Sequence, residues 1–163
     1  MKRIGILSDT HGCRDDRFLK HFADCDEIWH AGDIGSPDII EELETLCPVR
    51  AVYGNIDGGI LRMKYSETLR FKIEECEVLM KHIGGYPGRY DISIRKQIYE
   101  RPPQLFISGH SHILKVMFDK TTNCLHINPG AAGRQGWQQA RTLVKFTIDG
   151  KEIKDLEVIE LGK

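Results

Sequence analysis

Seven side chains of a metal-binding type recur along the chain: Asp9, His11, Asp33, Asn55, His82, His110 and His112. Most sit one to three positions after an apolar run. Ile4 to Leu7 leads to Asp9-Thr10-His11, Ile28-Trp29 to Gly32-Asp33, and Val52-Tyr53 to Gly54-Asn55. Val78 to Met80 leads to His82, and Leu105 to Ile107 to Gly109-His110-Ser111-His112. Borderline divalent cations accept a mixture of imidazole nitrogen and carboxylate oxygen, and two ions roughly 3.5 to 4 Å apart can share a carboxylate while both act on one phosphate. Seven such side chains exceed the needs of a single ion. Any one of Asp9, Asn55 or His82 alone reads as an ordinary cap or turn residue; the ordered set carries the argument.

The intervening sequence supplies elements able to bring these residues together. Arg3 to Ser8 reads as a buried strand, Arg14 to Ala23 as a helix with Phe18, Leu19 and Phe22 on one face, and Glu27 to Trp29 as a second strand. Ser36-Pro37 opens a helix running through Leu46, and Val49 to Tyr53 forms a third strand. These three strands are expected to be parallel with right-handed crossovers. Leu69 to Ile73 and Val78 to Lys81 flank the acidic turn Glu74-Glu75 as a hairpin, so the sheet is mixed. Tyr90 to Glu100 is helical and stops before Pro102-Pro103, after which Leu105 to Ile107 is another strand. Lys115 to Phe118, Leu125 to Ile127, and Leu143 to Ile148 are extended, the last joined to Ile153 to Ile159 through Asp149-Gly150. The expected fold class is α/β, a two-sheet mixed β-sandwich flanked by helices, βαβαβ first and β-rich later. In such sheets, loops leaving the carboxyl ends of neighbouring strands converge on one crevice. Glycines before Asp33, Asn55 and His110 are expected to let the backbone turn sharply there.

Bulk properties narrow the function. A chain of 163 residues, 40% hydrophobic and 29% charged, fits a single domain with its own core. No apolar run approaches the roughly 20 residues that span a bilayer, and no signal-peptide plan follows Met1-Lys2-Arg3, so a cytoplasmic location is expected. Five cysteines in no paired spacing suit free thiols. A net charge of −1 argues against contact with long nucleic acid.

At the seven residues the sequence resembles the calcineurin-like metallophosphoesterase superfamily, whose pattern is D-x-H, G-D, G-N-H-[D/E], a separate His, then G-H-x-H. Here these are Asp9-Thr10-His11, Gly32-Asp33, Gly54-Asn55-Ile56-Asp57, His82 and Gly109-His110-Ser111-His112, in the same order. The short length, the Gly-Asn-x-Asp form and Asn128-Pro129-Gly130 make the chain similar to the small bacterial and archaeal phosphodiesterase branch. The resemblance implies αββα layers. It also implies Asp9, His11 and His112 on one divalent ion, Asn55, His82 and His110 on a second, and Asp33 between them, with a bridging hydroxide as nucleophile. Mn²⁺ is the ion it suggests, with Fe, Zn and Ni compatible with the same ligands. The implied activity is phosphodiester hydrolysis on a small phosphoester, a nucleotide-like one included, and a homo-oligomer is compatible with it. The alternative is a catalytically silent scaffold or protein-interaction module on the same fold. Two positions depart from the pattern: Ile56 stands where the superfamily often has a His that contacts phosphate and protonates the leaving oxygen, and His82-Ile83-Gly84-Gly85 lacks a further His.

Other residues have a plain role beside a functional one. His21 reads as surface, while His30 and His126 divide between core histidine and support of the site. Gly84-Gly85-Tyr86-Pro87-Gly88-Arg89-Tyr90 is either a surface loop or a clamp in which Arg89 holds a phosphate and the tyrosines stack a ring. Arg134 and Trp137 are candidates for the same mouth. Cys13 lies near His11, but the nitrogen and oxygen set is complete without it.

Overall fold

The computed structural model describes residues 1–162, whose strands form two five-stranded sheets and a small hairpin. In the first sheet, β1 (Lys2–Leu7), β2 (Glu27–His30) and β3 (Val49–Ala51) are parallel neighbours. The long hairpin of β11 (Arg141–Asp149) and β12 (Glu152–Gly162) adds antiparallel to the free side of β1. The second sheet pairs β4 (Thr68–Ile73) with β5 (Cys76–Lys81) as the expected hairpin. It continues through β8 (Leu105–Ile107), β10 (Cys124–Pro129) and β9 (Leu114–Asp119). The parallel steps are β5 with β8 and β8 with β10, so both sheets are mixed.

Alternation along the strands builds the layers. Ile4, Ile6, Trp29, Val78, Met80, Leu105, Ile107, Val144 and Phe146 face inward and form the core between the sheets. The opposite face of the first sheet, with Leu7 and Ile28, is covered by helices α1 (Asp16–His21) and α2 (Pro37–Leu43) through Phe18, Phe22, Ile39, Ile40 and Leu43. The opposite face of the second sheet, with Leu79, Phe106 and Cys124, is covered by Ile94 and Ile98 of α4 (Ile92–Glu100). The order helix, sheet, sheet, helix is the αββα arrangement. Gly5 matters to it: a Cβ there would lie 2.6 Å from the Phe22 ring, so the bare backbone is what lets Phe22 lie against β1. Among the described residues no helix is long and apolar enough to cross a membrane.

Helices α1 and α2 are shorter than the apolar spacing predicts, for local reasons. The Asp15 carboxylate accepts from the Arg17 amide at 3.0 Å and starts α1 at Asp16, and Phe22 caps its end. Ser36 caps α2 as expected, but the Thr45 hydroxyl takes the Glu42 carbonyl at 2.6 Å and the chain leaves the helix after Leu43 rather than Leu46. β3 ends at Ala51, with Val52 making only an isolated bridge to Ser66. Two elements were not expected: α3 (Gly59–Lys64), and the hairpin of β6 (Gly85–Tyr86) and β7 (Arg89–Tyr90). α3 buries only Leu61 and leaves Ile60 and Met63 exposed, so it has no amphipathic stripe to recognise.

On β10 the inward residues alternate with Cys124, His126 and Asn128, and His126 lies against Phe106 with ring centroids 5.4 Å apart. Burial pushes the His126 imidazole down to about 4. In the unfolded chain it titrates near 6.5, so the unfolded state binds the extra proton across this interval. The neutral ring's contribution is therefore complete above pH 6.5 and is lost as pH falls toward 4. The linkage corresponds to roughly 3 kcal/mol. Denaturant midpoints are expected to fall over that window for wild type and to fall much less for His126→Phe; equal slopes would show that His126 is not buried neutral.

Candidate metal centre

Every candidate ligand leaves the carboxyl end of a strand. Asp9 and His11 follow β1, Asp33 follows β2, Asn55 follows β3, His82 follows β5, and His110 and His112 follow β8. The loops are tied to each other by main-chain hydrogen bonds: the Asp9 and His11 amides donate to the Gly32 and Asp33 carbonyls at 2.9 and 3.0 Å, and the Gly109 amide donates to the His82 carbonyl at 3.0 Å. Two sheets thus contribute to one cluster.

The backbone there is strained at the ligands themselves. Asp9, His11, Asp33, His110 and His112 all have positive φ, between 47° and 70°. A non-glycine residue held so costs roughly 1 kcal/mol or more, which the surrounding fold has to offset. This corrects the expected role of the glycines. Gly32 does adopt positive φ, but Gly54 and Gly109 do not; they permit close approach instead. A Cβ at Gly54 would lie 2.1 Å from Asp33 Oδ1, and one at Gly109 would lie 2.1 Å from Ser8 Oγ.

Each carboxylate divides its oxygens between structure and centre. Asp9 Oδ2 accepts from Ser8 Oγ at 2.7 Å and from the His110 amide at 3.1 Å, while Oδ1 faces His112, His11 and His82 Nε2 at 3.2, 3.7 and 3.7 Å. Asp33 Oδ1 accepts from the Ile56 amide at 3.1 Å, while Oδ2 lies 3.4 Å from His11 Nε2 and 3.2 Å from His82 Nε2. The donor atoms fall into two groups, Asp9 with His11 and His112, and Asp33 with His82 and His110, each within 4.8 Å of one another. Asp33 Oδ2 lies between a histidine of each group. Asn55 is on the exposed rim, its Oδ1 3.0 Å from His110 Nδ1.

The imidazoles are oriented from behind. His82 Nδ1 donates to the Ala31 carbonyl at 2.8 Å, which leaves its Nε2 lone pair toward the carboxylates. His112 Nδ1 lies 2.9 Å from Gln138 Oε1, and Gln138 is itself anchored to the Gly133 and Gln135 carbonyls. Burial works to raise the Asp9 pKa, but contacts with His11, His112 and His82 hold it well below the usual carboxylate range. Asp33 is likewise lowered, burial being outweighed by His82. His112 is raised by Asp9; His82 is raised by Asp33 and Asp9 against burial. Two ionised carboxylates in one buried spot select for cations.

The cluster fits metal ions on its own terms. Asp9 Oδ1, His11 Nε2 and His82 Nε2 are buried and aimed at one another's neighbourhood, and their approaches at 3.2 to 3.7 Å are ion-pair distances without the direction of a hydrogen bond. A buried polar atom left unpaired costs about 1 to 3 kcal/mol, a cost that a cation among the three would offset, so the residues present fit such a group.

His30 supports the cluster. Its Nδ1 accepts from the Gly32 amide at 3.1 Å, so Nε2 carries the proton and donates to Thr10 Oγ1 at 3.0 Å. The Thr10 hydroxyl in turn donates to the Ile34 carbonyl at 2.8 Å. The ring, pushed down to about 4 by burial, therefore joins the Asp9–His11 loop to the Asp33 loop as a neutral group. Asp57, noted in sequence only as part of a motif, accepts from the amides of Ile34, Gly35 and Gly54 and staples the Asp33 loop to the Asn55 loop. Asn128 Nδ2 donates to the Gly109 carbonyl and to Ser111 Oγ. Ser8 and Gln138 carry no spacing signal and were not anticipated.

The remaining candidates divide. Tyr86 and Arg89 line a cavity that also borders His110, but Tyr90 is buried and its hydroxyl donates to Asp119 at 2.8 Å, so it does not belong to the mouth. Cys13 is outside both donor groups, its Sγ 3.7 Å from Arg141 Nη2. Trp137 is fully exposed, one residue before Gln138. His21 is half-buried at the end of α1.

The fold agrees with comparison to known proteins. The chain belongs to the calcineurin-like phosphoesterase superfamily, whose domain profile matches residues 1–151. A protein of Methanothermobacter thermautotrophicus named as a probable metallophosphoesterase is 34% identical over 98% of this chain and 92% of its own length. Among solved structures, one described as a novel archaeal phosphodiesterase superposes with a TM-score of 0.74 at 23% identity, covering 98% of this chain and 99% of that one. Vps29 of Entamoeba histolytica in complex with zinc also superposes with a TM-score of 0.74, at 16% identity and 98% coverage of both chains.

Proposed function

We propose that this protein is a dinuclear metal-dependent phosphodiesterase, with Asp9, His11 and His112 holding one divalent ion, Asn55, His82 and His110 the other, and Asp33 joining them. The observation that carries the proposal is the convergence of three buried, unpaired ligand atoms on the space between two ionised aspartates. A silent scaffold is separated from this reading by turnover alone, since bound cations would satisfy the same atoms in either case. The archaeal phosphodiesterase of the same fold supports the diester assignment.

When bound, two such ions lower the pKa of water toward about 7 and offset charge gathering on the phosphoryl oxygens. The chain supplies the rest. Asp9 and Asp33 keep one oxygen each pinned by main-chain amides, so the other is held in place. Gln138 and the Ala31 carbonyl fix the rotation of His112 and His82. The nitrogen and oxygen donor set suits Mn²⁺, Fe, Zn or Ni, and Mn²⁺ is our first assignment.

Metal-stripped protein reloaded with each ion in turn is expected to plateau near two ions per chain and to regain hydrolysis of aryl phosphodiesters. Asn55→Ala and His82→Ala are each expected to lower the plateau toward one. A wild-type plateau at one ion, unchanged by either substitution, would remove the second position.

A further inference from the structure

His110 also borders a cavity of about 220 Å³, walled by the β6–β7 hairpin on one side and by β9 and β10 on the other. Pockets for drug-sized ligands run to about 300 to 1,000 Å³, so this one has room for a single ring system and its immediate substituent. His126 is among its lining residues, 1% exposed, and neither ring nitrogen has a hydrogen-bond partner. Neutral imidazole offers one donor and one acceptor, and a buried ring with both unused is a place for a ligand's polar atom.

The walls select further. Tyr86 presents its ring with Lys115 Nζ held 3.8 Å from the centroid, and Ile113 adds an exposed aliphatic side chain. Arg89 and Lys115 outnumber Asp91 among the charged lining residues, and the Asp91 carboxylate is occupied in capping α4 through the Ser93 amide at 3.0 Å. A basic rim suits a phosphate-bearing ligand, and an aromatic and aliphatic wall suits a flat ring.

We propose that this cavity receives the base of a nucleotidyl ester whose phosphate lies at the cluster of Asp9 to His112, making nucleoside phosphodiesters the substrate class. The position of the phosphate rests on the function proposed above; the base pocket rests on its own residues.

The test uses the full chain loaded with Zn²⁺, a diamagnetic ion, titrated by NMR with each of the four ribonucleoside 5′-monophosphates and with ribose 5-phosphate, which carries the same sugar and phosphate without a base. At least one nucleotide is expected to shift the His126 ring resonances and to bind about tenfold or more tighter than ribose 5-phosphate. Tyr86→Ala and His126→Phe are each expected to bring that ratio toward one. Should His126→Phe fold poorly, Tyr86→Ala on the surface hairpin and the wild-type resonances decide. Equal binding of all five ligands, or a preference that leaves His126 unshifted and survives Tyr86→Ala, overturns the proposal. Aryl phosphodiester hydrolysis by metal-loaded protein is measured beside it. Hydrolysis without a base preference removes the pocket alone, and a base preference without hydrolysis removes the catalytic function alone.

Discussion

Asp33→Ala is expected to lower phosphodiester turnover by at least about 10³-fold, the scale set by loss of a preorganised charge at a reacting phosphate, while leaving the protein folded. Asp33 is the one carboxylate whose free oxygen lies within 3.4 Å of a histidine in each donor group, so its removal affects both ion positions at once. The effect on the fold is smaller because two losses meet a gain. The Ile56 amide loses its acceptor and alanine enters a backbone with φ of 55°, each about 1 kcal/mol. Against this, Asp9 no longer shares a buried space with a second negative charge, a repulsion that works to raise the Asp33 pKa. None of the residues packed between the sheets touches this balance. Asp33→Asn separates charge from shape: it keeps an acceptor for Ile56 and favours left-handed backbone, and it is expected to be as inactive as alanine with a higher melting temperature. Turnover and circular dichroism melts read both. Near-normal rates in metal-free Asp33→Ala would exclude the dinuclear proposal.

Aryl phosphodiesters are expected to be cleaved about 10² to 10⁴ times faster than alkyl monoesters, the range that general acid help is typically worth. Ile56 lies 50% exposed beside Asn55, and its amide is already committed to Asp33. Its side chain has no proton to give a leaving oxygen. His30 cannot replace it, since both of its ring nitrogens are engaged by Gly32 and Thr10 within the fold. An aryl oxide leaves as a stable anion and needs little protonation, and a diester carries one charge fewer than a monoester dianion. Ile56→His is expected to raise alkyl ester turnover more than aryl ester turnover, because position 56 is at the rim and its backbone contact is independent of the side chain. A wild-type preference for alkyl monoesters would show that another group donates the proton.

How much of this protein was legible beforehand follows from which interactions are local. The parallel first half, the β4–β5 hairpin, the helix before Pro102 and the closing β11–β12 hairpin all came from period, caps and turns, because each depends on residues close in sequence. The helix ends did not, since Asp15 and Thr45 decide them through single side-chain hydrogen bonds that compete with apolar spacing. The seven candidate ligands were readable because strand ends in such a sheet must share a crevice, and all seven lie there.

The sequence by itself thus determined which residue types collect at the carboxyl ends of the strands, and therefore that the crevice is lined by carboxylates and imidazoles. Only the tertiary structure decided how they are held. That Asp33 and His110 carry the left-handed backbone while Gly54 and Gly109 make room, that His30 bridges two loops as a neutral ring, and that Gln138 turns His112 were all invisible in sequence. These are contacts between segments 20 to more than 100 residues apart, such as the His110 amide on Asp9 at a separation of 101. No periodicity or local propensity encodes such pairs; they exist only once both sheets have packed and brought the loop ends within hydrogen-bonding reach.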